Sequence, residues 1–347
     1  MTTRRDALKL LGGSAAMMMA GTAARAQAPS AADWDKVVAA AKKEGQVVLY
    51  TGITGGQQHP EIAKLFEKRY GIKVEIWDGA GSEAMTRIRT EVTTNRNLGD
   101  VSLIGSTGNV PMARQDLLLP HGDLPNLSKQ MTFQVDLPDI EVPVFVNPYG
   151  LAVNTDMVPP EREPKSWLDL LDPYWQGKIL AYRFTAAGSG ASWFSVMLEK
   201  FGKEFHEKFA KQHITFSNTV RENPRRVARG EFAMCVPFTL TDIKALEGLP
   251  VKGVIPKEGI VYTPFTIAQI KGSPHPNAAR LMLNFFLEPE AQAVYARDGY
   301  PVALAGLKAD TPEKLRPIVE AKLLGRQAVD GHEDDRMRLA AQIYEGK

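Results

Sequence analysis

Four short turns in this 347-residue chain carry residue types that bind rather than react. They are Thr51-Gly52, Gly79-Ala80-Gly81-Ser82, Ser106-Thr107-Gly108-Asn109 and Ala187-Gly188-Ser189-Gly190-Ala191. Small residues let backbone N–H groups converge, and hydroxyls add further donors. Together they can replace the hydration shell of an anion without ordering long side chains. The candidate binding residues are therefore Thr51, Gly52, Ser82, Ser106, Thr107, Ser189, Gly190 and Ala191. A single turn of this kind also serves as a plain helix cap, whereas four together point to a pocket.

Signals for catalysis are missing. No G-x-S-x-G surrounds Ser189, and H-E-x-x-H does not occur. The six histidines (His59, His121, His206, His213, His275 and His332) lack ligand spacing. The sole cysteine, Cys235, excludes an intramolecular disulfide and a Cys-based zinc site; within its apolar strand it reads as a buried, inert thiol. No catalytic residue, metal ligand or cofactor is assigned. Gly79 to Ala84 matches G-x-G-x-x-A, but after the second strand of its unit rather than the first. That match keeps an exported NAD(P)-dependent oxidoreductase as an alternative.

The turns need elements to hold them. Apolar spacing predicts a helix over 31–43, a strand over 46–50, a helix from Pro60 to Tyr70 ended by Gly71, and a strand over 72–77. A helix capped by Ser82 and a strand over 100–104 complete a βαβαβ unit, which implies a parallel sheet with helices on both faces. A second α/β unit follows, with extended segments at 142–146 and 150–153, a short helix at 167–171, a strand at 178–181 and an apolar helix at 191–201. A helix then ends at Gly230, strands follow at 232–236, 251–256 and 265–270, and helices at 274–287 and 290–298. The charged stretch 330–338 reads as a solvated face. In open parallel sheets, ligands sit beyond the carboxyl ends of the strands, where the four turns fall.

Residues 1–26 read as an address. Thr3-Arg4-Arg5-Asp6-Ala7-Leu8-Lys9 resembles a twin-arginine export motif, with Ala7 where Phe is common, and an apolar run and small residues follow. Cleavage is expected after Ala26, sending the chain to the periplasm. With 42 Lys+Arg against 40 Asp+Glu, the chain has no basic excess that would argue for nucleic acid.

In order along the chain, five segments carry a resemblance: Val48-Leu49-Tyr50-Thr51-Gly52, Phe66-Glu67-Lys68-Arg69-Tyr70-Gly71-Ile72-Lys73-Val74, Asn154-Thr155-Asp156, Arg229-Gly230-Glu231 and Ile255-Pro256-Lys257-Glu258-Gly259. Pro274-His275-Pro276-Asn277-Ala278-Ala279 and Phe285-Phe286 add to it. The chain resembles periplasmic solute-binding proteins of ABC importers, in the ferric-iron-type, family 1 group. The resemblance implies a type II periplasmic-binding-protein fold: two lobes, each a mixed, mostly parallel sheet flanked by helices, joined by two crossover segments. Expected lobes are 27–140 with 262–316, and 141–261 with 317–347; the crossovers, 136–147 and 259–264, would act as hinges. It further implies a monomer that delivers a small-molecule ligand to an inner-membrane ABC permease.

Iron binders of the group carry a Tyr-Tyr pair where this chain has Phe238-Thr239, and an acidic ligand where it has Gly105-Ser106-Thr107. Ferric iron with a synergistic anion is therefore the alternative. Ser189-Gly190-Ala191 matches the turn that holds that anion, so a small organic or phosphorus-containing anion is the expected ligand. Phe238 would offer an apolar face, and Tyr149 would stack or hydrogen-bond. Arg183 and Arg221 would clamp the charge, with Asn218 as a further polar contact.

Overall fold

The computed structural model describes residues 31–346 except 54, 55, 128–130, 187, 218, 220 and 221. The expected leader and three site candidates or neighbours (Ala187, Asn218 and Arg221) lie outside the described residues.

The first unit follows the expected alternation: α1 (Ala31–Glu44), β1 (Gln46–Thr51), α2 (Gln58–Tyr70), β2 (Lys73–Asp78), α3 (Gly81–Thr93), β3 (Val101–Gly105), α4 (Ser106–Arg114) and the short β4 (Leu118–Leu119). Gly71 ends α2 in the left-handed region, φ 70°, and its N–H reaches the Glu67 carbonyl. That conformation is cheap for glycine and costly for other residues. A second unit contains β5 (Val142–Asn154), β6 (Ile179–Tyr182), α5 (Ser189–Ala210), β7 (Thr215–Ser217), α6 (Glu222–Ala228), β8 (Met234–Thr239) and β9 (Val251–Val254). Next come β10 (Ile260–Ile270), α7 (Pro276–Phe285), α8 (Pro289–Ala296), α9 (Arg316–Val319), β11 (Leu323–Gly325) and α10 (Glu333–Tyr344).

The strands run β2-β1-β3-β10-β5-β8-β6-β7, with β4 and β11 pairing on β10 and β9 on β5. β2, β1 and β3 are mutually parallel, as are β8, β6 and β7; between these triplets lie β10 and β5, antiparallel to each other and to their outer neighbours. The fold is a mixed α/β sheet with flanking helices. It differs from the sequence reading in four places. The segments 142–146 and 150–153 are one strand, because Asn147 and Pro148 stay extended and Pro148 sits opposite Tyr262 within the ladder. β10 begins at Ile260, five residues before the expected strand. β8 starts at Met234 and reaches Thr239. The stretch 330–338 runs into α10, which starts at Glu333 and packs Leu339, Ile343 and Tyr344 against the core, with Arg336 largely buried on Asp330.

Both long strands divide their side chains between two cores. Val142, Val144 and Phe145 of β5 join Phe265 and Ile267 of β10 in a core with Leu49, Phe66 and Phe285. Tyr149, Leu151 and Val153 join Val261 in another, built on Trp167, Trp193 and Phe194. α5 is interrupted at Gly202 (φ 74°, ψ 177°), one residue past the expected end of that helix. The Pro274-His275 segment is held by the buried Asp100 carboxylate, which accepts from the His275 N–H at 2.8 Å and Ser273 Oγ at 2.6 Å. It also accepts from the Val48 N–H at 2.7 Å, so its desolvation is offset by hydrogen bonds.

Phe145 is fully buried, stacked on Phe265 (4.9 Å between centroids) and Tyr295 (4.4 Å), with Tyr300 edge-on at 4.8 Å. Phe145→Ala leaves a cavity among rings that cannot all collapse, and destabilisation of about 3–5 kcal/mol is expected in urea unfolding.

Candidate functional site

Each parallel triplet ends its strands on residues that line a cleft, and the helices that follow begin there. Their N-termini carry partial positive charge and unpaired N–H groups, so what each one meets decides where an anion can bind.

At β1, Thr51 is buried and its Oγ1 shares a hydrogen bond with His59 Nδ1, 3.2 Å. His59 is in the first turn of α2, edge-on to Tyr295. Nothing in the local sequence announces its burial, which pushes its pKa down to about 4. Gly52 lies so close to Ile104 and Gly81 that a side chain would come within 3.0 Å of the former and 3.2 Å of the latter. Ser82 does not cap α3. The helix starts at Gly81, its cap is Ala80, and the Glu83 carboxylate turns back to accept the Ala80 N–H at 2.9 Å. Ser82 itself is exposed.

α4 is served from inside the fold. Its first residue, Ser106, is 1% exposed and lies against the fully buried Glu141 carboxylate, which accepts from Thr266 Oγ1 at 2.8 Å and the Leu137 N–H at 3.2 Å. Burial raises the Glu141 pKa, and these neighbouring donors oppose the shift. The Ser106 hydroxyl thus faces a carboxylate within the protein rather than the cleft. Thr107 is half-buried beside it.

α5 is built differently. Its cap is Gly188 (φ 132°), which has no side chain to cover the first N–H groups, and the helical bonding starts with the Ser192 N–H on the Gly188 carbonyl. Ser189 is half-buried, while Gly190 and Ala191 are buried. Gly190 is fixed by contact: a Cβ there would stand 2.3 Å from the Arg183 carbonyl oxygen and 2.9 Å from that of Tyr182. The turn is therefore pressed onto the end of β6. Arg183 follows that strand, with its N–H on the Ser217 carbonyl at 3.1 Å. Its Nη1 donates to Glu345 at 2.8 Å, so the expected clamp is already engaged by a carboxylate that sequence reading did not find.

Tyr149 lies where β5 crosses between the cores. It is 4% exposed, and its hydroxyl accepts from Asn147 Nδ2 at 3.3 Å. Burial raises its pKa, Thr263 and Asn147 oppose this, and Asp242 and Tyr182 lie near enough to add to it. Tyr300, pushed up to about 12 by burial, lines a cavity with the same Asp242 and with Thr241. Phe238 does not present a face to this cleft: at 2% exposed, it packs in a core with Leu180, Val227, Cys235 and Leu240. Burial also pushes the Cys235 thiol up to about 12, which removes thiolate at neutral pH.

A cavity of about 460 Å³ adjoins the cleft, lined by Gln57 and Gln58 at the start of α2, Arg225 of α6, Asp242 and Lys244 after β8, and Tyr300. Its size suits a small organic molecule. Lys244 Nζ reaches Asp298 at 2.6 Å across it, beside Gln58 Nε2 on the other carboxylate oxygen at 2.5 Å. None of the residues chosen from sequence lines it. Tyr182 could have been found, since it ends a strand beside Arg183. Asp242, Tyr300 and Glu345 could not, because they arrive by tertiary packing. Among the described residues no three His, Cys, Asp or Glu side chains converge as a metal site.

Two outcomes are expected from this geometry. Gly190→Ala must push α5 off the β6 carbonyls and lower stability by about 1–3 kcal/mol; Gly81→Ala, with nothing within 4 Å of the added carbon, serves as the neutral control in the same melts. His59 and His206 are both held near pKa 4 by burial, against 6.5 when exposed. The unfolded chain therefore takes up protons first as pH falls from about 6.5 to about 4. Stability present above that window is lost across it, by about 1.4 kcal/mol per pH unit for each histidine. Urea midpoints measured through the window should fall less steeply in His206→Gln than in the wild type.

Residues 111–322 match the family model of the bacterial extracellular solute-binding proteins. The spermidine/putrescine-binding periplasmic protein of Escherichia coli is 24% identical over 312 residues, covering 82% of this chain and 86% of that one. Among solved structures, the substrate-binding protein of an ABC transporter from Agrobacterium tumefaciens superposes with a TM-score of 0.72 at 17% identity, over 86% of this chain and 94% of that one. The ferric binding protein from Campylobacter jejuni gives 0.69 at 18% identity, over 86% and 98%. These likenesses carry the two-lobed, type II periplasmic-binding-protein fold, and the family match covers most of the chain. The chain belongs to the bacterial extracellular solute-binding proteins.

Proposed function

We propose that this protein captures a small organic or phosphorus-containing anion between its two lobes, performs no chemistry on it, and releases it as a monomer to an inner-membrane ABC permease. Export to the periplasm through the leader at residues 1–26 completes the reading. The lobes are 27–140 with 262–316, and 141–261 with 317–347. β5 and β10 supply the pivots, and ligand contacts reachable only in the closed form select it.

What supports an anion is the start of α5. Glu83 already serves the start of α3, and Glu141 that of α4. The start of α5 carries a glycine cap and a half-buried serine, and it lies against the backbone of Arg183. Ser189, Gly190, Ala191 and Arg183 are therefore the core of the proposed site, with Thr51, Gly52, Ser82, Thr107 and Tyr149 as its further candidates. Arg221 and Asn218 remain candidates.

The test is a thermal-shift screen of carboxylates, phosphonates, thiamine, spermidine and ferric ion, followed by calorimetry on each hit, since a tight ligand raises the melting temperature by mass action. Carboxylates or phosphonates should give the shift, and Arg183→Ala should weaken the best of them by about 1–3 kcal/mol. A shift with spermidine or ferric ion alone overturns the anion.

A further inference from the structure

We infer that Lys244, Asp298 and Gln58 form a latch that draws the cleft shut and scales the affinity for every ligand. The inference rests on the closure between lobes proposed above and is independent of the ligand's charge.

The three side chains come from segments that pack in different cores. Lys244 lies in the short helix Leu240–Leu246 after β8, where Leu240 and Leu246 pack with Leu180 of β6 and Cys235 of β8. Asp298 lies two residues past α8, whose Val294, Tyr295 and Ala296 pack with Leu49, Phe66 and Phe285. The Asp298 N–H reaches the Tyr295 carbonyl at 3.0 Å, and the Tyr295 ring is stacked on Phe145, so the turn that carries the carboxylate is anchored on β5. Gln58 opens α2, which gives Ile62 and Phe66 to the same core as α8. Asp298 therefore accepts from its own side on Oδ2, from Gln58 Nε2 at 2.5 Å. From the other side it accepts on Oδ1, from Lys244 Nζ at 2.6 Å. All three residues line the cavity of about 460 Å³.

The pair is suited to closing rather than to bracing. Asp298 follows the C-terminus of α8, where the helix dipole is already negative, so a cation beside the carboxylate is favoured. Gln58 orients that carboxylate, whose side chain is 24% exposed, and only the long Lys244 arm remains to be ordered. Opening the cleft carries the helix Leu240–Leu246 away from α8, and beyond the reach of one lysine side chain the pair breaks. Lys244 is exposed, so water and salt hold its effect to a few-fold change in the closed population. No ligand atom takes part, so that factor is common to all ligands. A neighbouring pair, Arg297 with Glu61 at 2.5 Å, ties α8 to α2 within one core and crosses nothing.

The experiment measures distances by pulsed electron resonance on the full chain, with spin labels at Lys64→Cys on α2 and Leu249→Cys. Both positions are exposed, and the native Cys235 is buried. Asp298→Asn and Lys244→Ala should each lower the ratio of closed to open distances about threefold, and about 1 M salt should do so in the wild type. The swap Lys244→Glu with Asp298→Lys should recover part of the ratio, and Glu61→Gln should leave it unchanged. An unchanged ratio in both single variants, or an equal fall in Glu61→Gln, overturns the latch. If the distance in those proteins still shortens with the screened carboxylates or phosphonates, closure itself stands. A distance that no variant and no screened compound alters overturns closure as well.

Discussion

β5 and β10 pair antiparallel from Tyr149 opposite Val261 to Val142 opposite Ile267, and the rest of the molecule hangs on that ladder. Each strand gives one end to one core and the other end to the second, so the two parallel triplets are joined by hydrogen-bonded sheet rather than by a linker. A slip of one residue would turn Phe145 and Phe265 out of their stack and carry Tyr149 away from the cleft, because side chains alternate faces with a period of two. The ladder tolerates one irregularity, a register shift between Phe265 and Thr266. It falls beside the Thr266 hydroxyl that holds Glu141. Bulges of this kind bend a strand and strengthen its twist locally, which suits a strand that passes between two cores.

The helices of the cleft share one electrostatic problem and solve it in different ways. Glu83, two residues into α3, returns to the backbone ahead of it, and Glu141 reaches the start of α4 from the distant end of the loop before β5. Both place negative charge where a helix N-terminus favours it. α5 has no acidic residue in its first turn, and its cap, Gly188, has no side chain to return to the backbone. The three turns resemble one another in sequence and differ in the groups that meet them.

Groups that elsewhere perform chemistry are used here for structure. His59 and His206 are buried, hydrogen-bonded and held neutral. Cys235 sits in a core between Leu180 and Phe238 with its thiol protonated. Asp100 ties the loop before α7 to β1. Each is satisfied by neighbours of the fold, in keeping with a protein that binds and releases.

The sequence by itself determined the local elements. Periodicity and glycine stops placed α1 through β3, because those signals are set by neighbours three or four residues away. The apolar run of 191–201 likewise placed the first part of α5, up to the break at Gly202. Sequence also placed a turn of small residues at Gly188 to Ala191, ahead of α5. Tertiary structure decided the rest. Nothing near Ser106 announces Glu141, and nothing near Arg183 announces Glu345, 162 residues away. Phe238 reads as an open apolar face until β8 is seen to turn it inward. The charge of a binding site is a sum over groups brought together from distant parts of the chain. Residue types fix the terms of that sum, and only packing fixes which terms are added.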